Sequence, residues 1–454
     1  MSGFLPEANH LSMKLEEFFA TLRAFGCAEV FCKHLSPNDN TKNQIYLGGD
    51  FSILNVLPMD RVDRDSTAVG GSKRDRFRST LDFSWVNDDF SVAKAPGANL
   101  VLYPKYPEVR LSGMLQGVPR ADRNRLLKAR SPDRVLVLAV TSDRRILAWV
   151  GAADSGTGGQ IARKMAASGT PGPGALVRVP IQESARDSER YLIDRLAKIH
   201  RQGWIDSKRL DSSGRVQPCM APNCGGLTLE AELGIRPNSR SEPDYLGWEV
   251  KQFGVGSFDK PHGRVITLLT PEPDGGVYTT EGVEEFVRKF GYPDKKARAN
   301  RLNFGGVHRF GVEHPATELK LDLVGFDANT NEVTRTDGVL RLVSRDGTIA
   351  ASWGFASLLK HWNRKHAQAV YVPSVRSDSP VRRYQYGHTV RIAAETNFQL
   401  LLSAIATGAM YYDPGIKLEQ ANTSSPQTKR RNQFRVKAAS LAALYQRAEW
   451  RALT

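Results

Sequence analysis

Asp244, Glu249 and Lys251 stand in the run Pro243-Asp244-Tyr245-Leu246-Gly247-Trp248-Glu249-Val250-Lys251, and residues of these types at this spacing can cut a phosphodiester. Two carboxylates so close in sequence make a hard-oxygen site suited to Mg²⁺, which keeps several waters and takes one or two protein carboxylates alongside substrate phosphate. Lys251 beside them can orient an attacking water and offset charge on the phosphorane. Apolar residues alternate at Leu246, Trp248 and Val250. That pattern predicts a half-buried strand with Glu249 and Lys251 together on its other face. Asp244, following a proline, can turn towards the same point.

A loose Asp-gap-Glu-x-Lys arises about once by chance in a chain of this length, whereas requiring the proline and one fixed gap lowers the expectation to roughly half a per cent. Glu318-Leu319-Lys320 illustrates the loose form: it too lies in an apolar run, but no Asp occurs between Asn303 and Thr317. A solvated hairpin with an exposed ion pair is the bland alternative for the first run.

The elements that must hold these residues belong to a chain of 454 residues, beyond the size at which one core stops growing, so two domains are expected. A formal charge of +15 favours a polyanionic partner, because each neutralised phosphate releases condensed counterions. No apolar run reaches about eighteen residues and the N-terminal stretch lacks a signal-peptide layout, which predicts a cytoplasmic protein with no membrane partner. Cys27, Cys32, Cys219 and Cys224 form neither a dense disulfide framework nor a paired zinc motif, and reduced thiols are expected.

Ser12 is placed to cap a helix whose Leu15, Phe18, Phe19, Leu22 and Phe25 form an apolar face before Gly26. Strand-like runs follow at 29–33, 45–47, 81–86, 99–103, 135–141 and 145–150, separated by turn residues, the layout of a small barrel. Residues 151–175, rich in Gly, Ala, Ser and Thr, predict a helix and loop at the domain's edge. Near 183 the pattern changes. Tyr191, Leu192, Leu196 and Ile199 then sit at helical spacing, followed by alternating strands (264–270, 318–325, 339–344, 367–372) and helices (355–364, and 396–408 capped by Thr396). The division expected is 1–182, a hinge at 183–186, and 187–454.

The stretch Asn223 to Ile235, then Asn238 and Glu242 to Lys251, resembles the core of the MvaI/BcnI restriction endonucleases, relatives of the mismatch-repair nickase MutH. The resemblance continues through Lys360 to Val372, Tyr411 to Leu418 and Lys429 to Arg435, spanning most of 187–454. It implies an α/β PD-(D/E)XK restriction-endonuclease-like fold, a mixed sheet with flanking helices. Asp244, Glu249 and Lys251 are then catalytic, with the two carboxylates on Mg²⁺ and Glu230 as an auxiliary acid. An ordinary first-turn helix glutamate favoured by the macrodipole accounts for Glu230 equally well. The late basic cluster Lys429, Arg430, Arg431 and Arg435 matches the family's recognition segment, although phosphate-only contact suits each of them too. His361, His366 and His388 have no carboxylate or Cys at metal spacing and are expected on the surface or against DNA. The basic run Lys360 to Lys365 fits a helix end near the DNA backbone or a solvated face.

In the first domain, Lys33 to Tyr46 resembles the start of EcoRII-like effector-binding domains, DNA-binding pseudobarrels of the type shared with plant transcription factors. The implied DNA contacts are Lys33, Asn38, Asp39, Asn43, Gln44 and Tyr46 on one arm and Lys105, Glu108 and Arg110 on the other, where Arg or Lys suits guanine, Asn or Gln adenine, and Glu or Asp cytosine. The sequence departs from that pattern at Asn43, where a His stands, and in having fewer basic residues on the second arm. An Asx-type turn is the simpler account of Ser36 to Asn40.

Together these resemblances imply a type II, type IIE-like, Mg²⁺-dependent endonuclease acting on double-stranded DNA at a short CC(A/T)GG-like site and leaving 5′-phosphate ends. A monomer holding two copies of the site and a cognate DNA methyltransferase in the host complete the expectation. A MutH-like repair nickase activated by a partner and a catalytically idle DNA-binding regulator are the alternatives.

Overall fold

The computed structural model describes residues 13–36, 44–59, 61–65, 75–104, 107–118, 127, 133–154, 156–182, 188–237, 243–259, 265–294 and 298–453, without the side chains of Asn363 and Arg364. Backbone contacts divide the chain into two compact units, Met1–Arg61 with Arg78–Leu102 and Pro107–Asp187, and Val62–Phe77 with Tyr103–Tyr106 and Ser188–Thr454.

In the first unit, helix α1 (Leu15–Ala24) buries Leu15, Phe18, Phe19 and Leu22 on one face, and the chain turns away at Gly26 with φ 78°. Its N-cap is Lys14, which offers no side-chain cap, and Ser12 lies outside the described residues. Up to residue 187 the strands of the chain are β1 (Glu29–Leu35), β2 (Ile45–Gly48), β3 (Arg61–Arg64), β4 (Phe77–Thr80), β5 (Phe83–Val86), β6 (Val92–Lys94), β7 (Asn99–Tyr103), β8 (Glu108–Ser112), β9 (Arg134–Val140), β10 (Ile146–Ala152), β11 (Thr170–Pro171) and β12 (Val177–Pro180). They form a seven-stranded sheet, β11-β12-β1-β9-β10-β5-β6, and a five-stranded one, β2-β8-β7-β4-β3. Helix α2 (Gly156–Ser168) inserts Ile161 and Met165 into a core shared with α1, Val30, Val137 and Trp149. The small-residue stretch expected at an edge is therefore a packing helix, since Gly158 lies against the carbonyl of Ala152, where a Cβ would collide.

The second unit opens with α3 (Ser188–Arg201), whose Leu192, Leu196 and Ile199 are buried while Tyr191 stays exposed. After β13 (Ile205–Asp206) come the hairpin β14 (Lys208–Leu210) and β15 (Val216–Pro218), helix α4 (Cys224–Leu233), β16 (Glu249–Gly254) and β17 (Val265–Leu269). The principal sheet has six strands: β13, Arg383–Tyr386, Gln368–Ser377, Thr389–Ala394 and Arg447–Ala452 in that order, with β16 parallel to Gln368–Ser377. A parallel pair needs a long crossover. Here the chain from β16 to Gln368 supplies it, and Leu229, Trp248, Val250, Val370 and Ile392 meet α3 in one core. Helix Phe355–His366 immediately precedes the long strand, and helix Phe398–Ala406 follows Thr389–Ala394.

Three local expectations are corrected. Leu246 is not in a strand: it and Gly247, at φ 48° and 82°, are the central residues of a two-residue turn closed by paired bonds between Tyr245 and Trp248. The cap of helix Phe398–Ala406 is Asn397, whose Oδ1 accepts the Leu400 N–H at 2.9 Å. Thr396 is buried instead, its Oγ1 accepting Trp362 Nε1–H at 3.0 Å and donating to the Leu444 carbonyl at 2.6 Å. Cys219 and Cys224 are joined in a disulfide, their Cα atoms 5.8 Å apart and within bridging range. The bridge lies where the chain turns into α4. Cys27 and Cys32 are free and buried, and loss of hydration pushes both thiols up to about 12.

Candidate active site

The tight turn at Leu246-Gly247 explains the spacing of the acidic pair. Two central residues with positive φ make a type I′ hairpin, which matches the twist of the flanking strands. Tyr245 and Trp248 face each other across it, so Asp244 and Glu249, one step further out on each side, become neighbours. Trp248 is buried and its Nε1 donates to Ser188 Oγ at 3.3 Å, tying the hairpin to the start of α3. Asp244 Oδ2 accepts the Val250 N–H at 3.1 Å, which locks the carboxylate against β16.

Glu249 and Lys251 share a face of β16, and Lys251 Nζ donates to Glu249 Oε1 at 2.6 Å. The Glu249 side chain is only 1% exposed, and its second oxygen, Oε2, is buried with no hydrogen-bond partner among the described residues. Burial pushes its carboxyl up to about 7, with the Asp244 charge adding to the effect and Lys251 and Lys365 opposing it. Loss of hydration thus outweighs two ammonium groups. Glu230 lies in the second half of α4 rather than in a first turn, because the helix begins at Cys224. Its carboxyl is also raised, mainly by burial and next by Asp244, with Lys251 and Lys365 acting against it. Five charged groups therefore share one field: Glu230, Asp244, Glu249, Lys251 and Lys365.

Spacing in the sequence reveals three of the five directly. Lys365 is the one it misses. Read as the end of a basic run, it instead points inward, its Nζ 3.5 Å from Glu249 Oε1. His366, expected on the surface, is buried, stacked on Trp362 with ring centroids 4.4 Å apart, and held well below its usual pKa by burial and by Lys251 and Lys365. His388 is exposed as expected, and His361 is half-buried.

An orphaned buried carboxylate oxygen beside a second carboxylate is what a hard divalent cation would satisfy. Among the described residues no three acidic, His or Cys side chains form a complete metal cage. Mg²⁺ asks for less, since one or two carboxylates suffice when water and phosphate supply the rest. The residues present fit such an ion.

The late basic cluster is split by its environment. Lys429 is paired with Glu419 at 2.6 Å, and Arg435 bonds Asp413 at 2.6 Å and Thr267 Oγ1 at 3.1 Å. Arg430 and Arg431 are exposed between them. The next residue, Asn432, is buried in a polar network with Tyr412, Glu272 and Tyr278, donating to Glu272 Oε1 at 2.9 Å. The preceding segment is a bonded turn in which Asn422 Nδ2 donates to Asn300 Oδ1 at 2.9 Å.

In the first unit, Gln44, just before β2, and Tyr46 on β2 come together with Glu108 and Arg110 on the adjacent strand β8, where Tyr46 faces Arg110. Arg110 donates to Gln44 Oε1 at 3.3 Å and is paired with Glu108, while Lys33 Nζ lies 5.8 Å from the centre of the Tyr46 ring. Asn38, Asp39, Asn43 and Lys105 lie outside the described residues, as do Asn238 and Glu242 of the second unit.

Comparison with known proteins bears on the second unit. The solved complex of the restriction endonuclease MvaI with its cognate DNA substrate is similar over 60% of this chain and 99% of its own, at 15% identity and a TM-score of 0.43. MvaI in the absence of DNA is similar over 59% of this chain and 98% of its own, at 14% identity and a TM-score of 0.32. No curated protein matches the chain. The model of the MvaI/BcnI restriction endonuclease family matches residues 193–445, more than half of the chain and inclusive of Glu230, Asp244, Glu249, Lys251 and Lys365. On that match the chain belongs to the MvaI/BcnI restriction endonuclease family and is a type II restriction endonuclease, a DNA hydrolase.

Proposed function

We propose that the protein is a Mg²⁺-dependent, type IIE-like restriction endonuclease that hydrolyses double-stranded DNA at a short CC(A/T)GG-like site. The observation that carries this is the pair Asp244 and Glu249 at one hairpin, with Glu249 Oε2 buried and unpartnered among the described residues and Lys251 Nζ on its other oxygen. Asp244 and Glu249 would hold the ion, which supplies Lewis-acid stabilisation of phosphoryl charge and a more acidic water. Lys251, 23% exposed and anchored by Glu249, orients the attacking water and donates a hydrogen bond to the oxygen on which charge develops. Asp244, fixed by the Val250 N–H, keeps the hairpin's geometry during the reaction. The water oxygen bonds to phosphorus, the P–O3′ bond breaks, a proton passes to O3′, and the other strand end keeps a 5′-phosphate. Glu230 acts as an auxiliary acid that tunes the field around the pair.

Arg430 and Arg431, exposed and flanked by anchored residues, are the best placed of the basic cluster to read guanine edges, with Lys429 and Arg435 in support. For the first unit the proposal is a pseudobarrel, residues 1–182, that grips a second copy of the site through the surface of Lys33, Gln44, Tyr46, Glu108 and Arg110, with Asn38, Asp39, Asn43 and Lys105 as further contacts. This fusion resembles that of the restriction enzyme UbaLAI. The protein works as a cytoplasmic monomer cutting the strands in turn, opposite a cognate methyltransferase. Digestion of a plasmid of known sequence with Mg²⁺, followed by mapping of both strand ends, tests the reading: discrete 5′-phosphorylated ends at one short sequence are expected, and random ends or nicks confined to one strand would overturn it.

A further inference from the structure

We propose that Lys365 is a second catalytic lysine, one that contacts a phosphate of the DNA strand being cut. The proposal rests on reading the Asp244, Glu249 and Lys251 cluster as the nuclease centre. Its first support is geometric. Lys251 Nζ at 2.6 Å and Lys365 Nζ at 3.5 Å converge on the same oxygen, Glu249 Oε1. The shorter contact is a hydrogen bond and satisfies that oxygen; the longer one lies outside bonding range and is electrostatic only. Among the described residues Lys365 donates no hydrogen bond, so its three N–H groups are available to an incoming acceptor. Its side chain is 29% exposed, which lets the ammonium reach a bound strand while the stem stays packed.

A second support is the way the helix end is held. Lys365 lies in the last turn of helix Phe355–His366. The adjacent His366 ring lies flat on Trp362, with 14° between the planes. Trp362 is in turn fixed by its bond to Thr396, and Thr396 by its bond to the Leu444 carbonyl. All three residues are buried. A cation whose backbone is pinned in this way, yet whose head group has only a long ion pair, is pre-organised for a partner that arrives from outside. The chemistry of that partner follows from charge. An ammonium group takes an anionic acceptor, and the anion a DNA substrate brings is phosphate. Lys365 exchanges its weak contact with Glu249 for a phosphate oxygen when DNA is bound.

The test uses the full-length protein and a duplex cut by the wild type. Equilibrium binding is measured by anisotropy without divalent metal across a salt series, and single-turnover cleavage is measured with Mg²⁺ at saturating DNA. K365A is expected to flatten the plot of log affinity against log salt by about 0.9. Its cleavage rate should fall roughly 100-fold, with a partial return in K365R. A set of duplexes, each with one neutral methylphosphonate near the cut, then separates contact from support. Neutralising the phosphate that Lys365 touches should slow the wild type and leave K365A unaffected. Equal costs at every position in both proteins, or an unchanged salt slope, would overturn the proposal and make Lys365 a prop for Glu249. K365M, which keeps the stem, carries the same measurements if K365A does not fold. A wild type that cuts no duplex would instead count against the nuclease reading itself.

Discussion

Glu249 concentrates the electrostatic cost of the site. Because its folded carboxyl titrates near 7 while an unfolded one titrates near 4.5, the metal-free folded protein holds this proton more tightly than the unfolded chain. Stability is therefore unaffected by this group below about pH 4.5, falls as the pH rises from there to about 7, and levels off above. The span corresponds to roughly 3 kcal/mol at about 1.4 kcal/mol per unit. Denaturant unfolding of metal-free wild type and E249Q at several pH values checks this: the wild-type-minus-variant difference should decline across that window, and Mg²⁺ should raise the wild-type Tm and not that of E249Q. The three residues that a fixed spacing exposes in sequence are those on one hairpin. Lys365 is invisible there, since only the parallel pairing of β16 with Gln368–Ser377 brings the end of the preceding helix to Glu249.

At the scale of elements, the hairpin carries a residue in an unfavourable conformation. Leu246 sits at φ 48° and is 41% exposed, where a type I′ turn prefers Asn. Leu246→Asn is expected to stabilise the protein by about 1 kcal/mol, read as a rise in urea midpoint at constant m-value. Gly247→Ala should do the reverse and slow cleavage, because φ 82° is costly for any residue with a Cβ. On helix Phe398–Ala406, Asn397→Ala should cost about 1 kcal/mol as a lost cap. Thr396→Val should cost about 1–3 kcal/mol, because it leaves the buried Trp362 N–H unpaired. Urea unfolding separates the two roles. Periodicity finds helices Phe355–His366 and Phe398–Ala406 and strands such as β1, β9 and β10, but it misses many others, among them β12, Thr389–Ala394 and Arg447–Ala452. Both residue types can cap, with Asn the better, and the burial of Trp362 gives Thr396 a different task that no local pattern reveals. Nor does periodicity tell that Leu246 turns, because an apolar residue before Gly reads the same in a strand and in a strained turn.

At the scale of the whole molecule, the family match and the charged cluster both lie in the second unit. A fragment of residues 187–454 is expected to fold and cut DNA alone; a folded but inactive fragment would contradict that modular account. Residues 1–182 should bind duplex DNA carrying the cleavage sequence more tightly than a scrambled duplex, with Arg110→Ala costing roughly 1–3 kcal/mol if it touches a base, and equal affinity for both duplexes would reduce this part to an electrostatic tether. Composition and turn spacing announced a β-rich first half, but sheet order there depends on long-range pairings such as β5 with β10, which no local pattern encodes.

The most direct measurement compares wild type, D244A and E249A on one cognate duplex, recording single-turnover cleavage with Mg²⁺ and equilibrium binding side by side. Loss of cleavage by more than a thousandfold in both variants, with specific binding kept within about tenfold, is what two metal-holding carboxylates predict. Cleavage within tenfold of wild type by either variant would contradict the assignment of this hairpin as the catalytic centre.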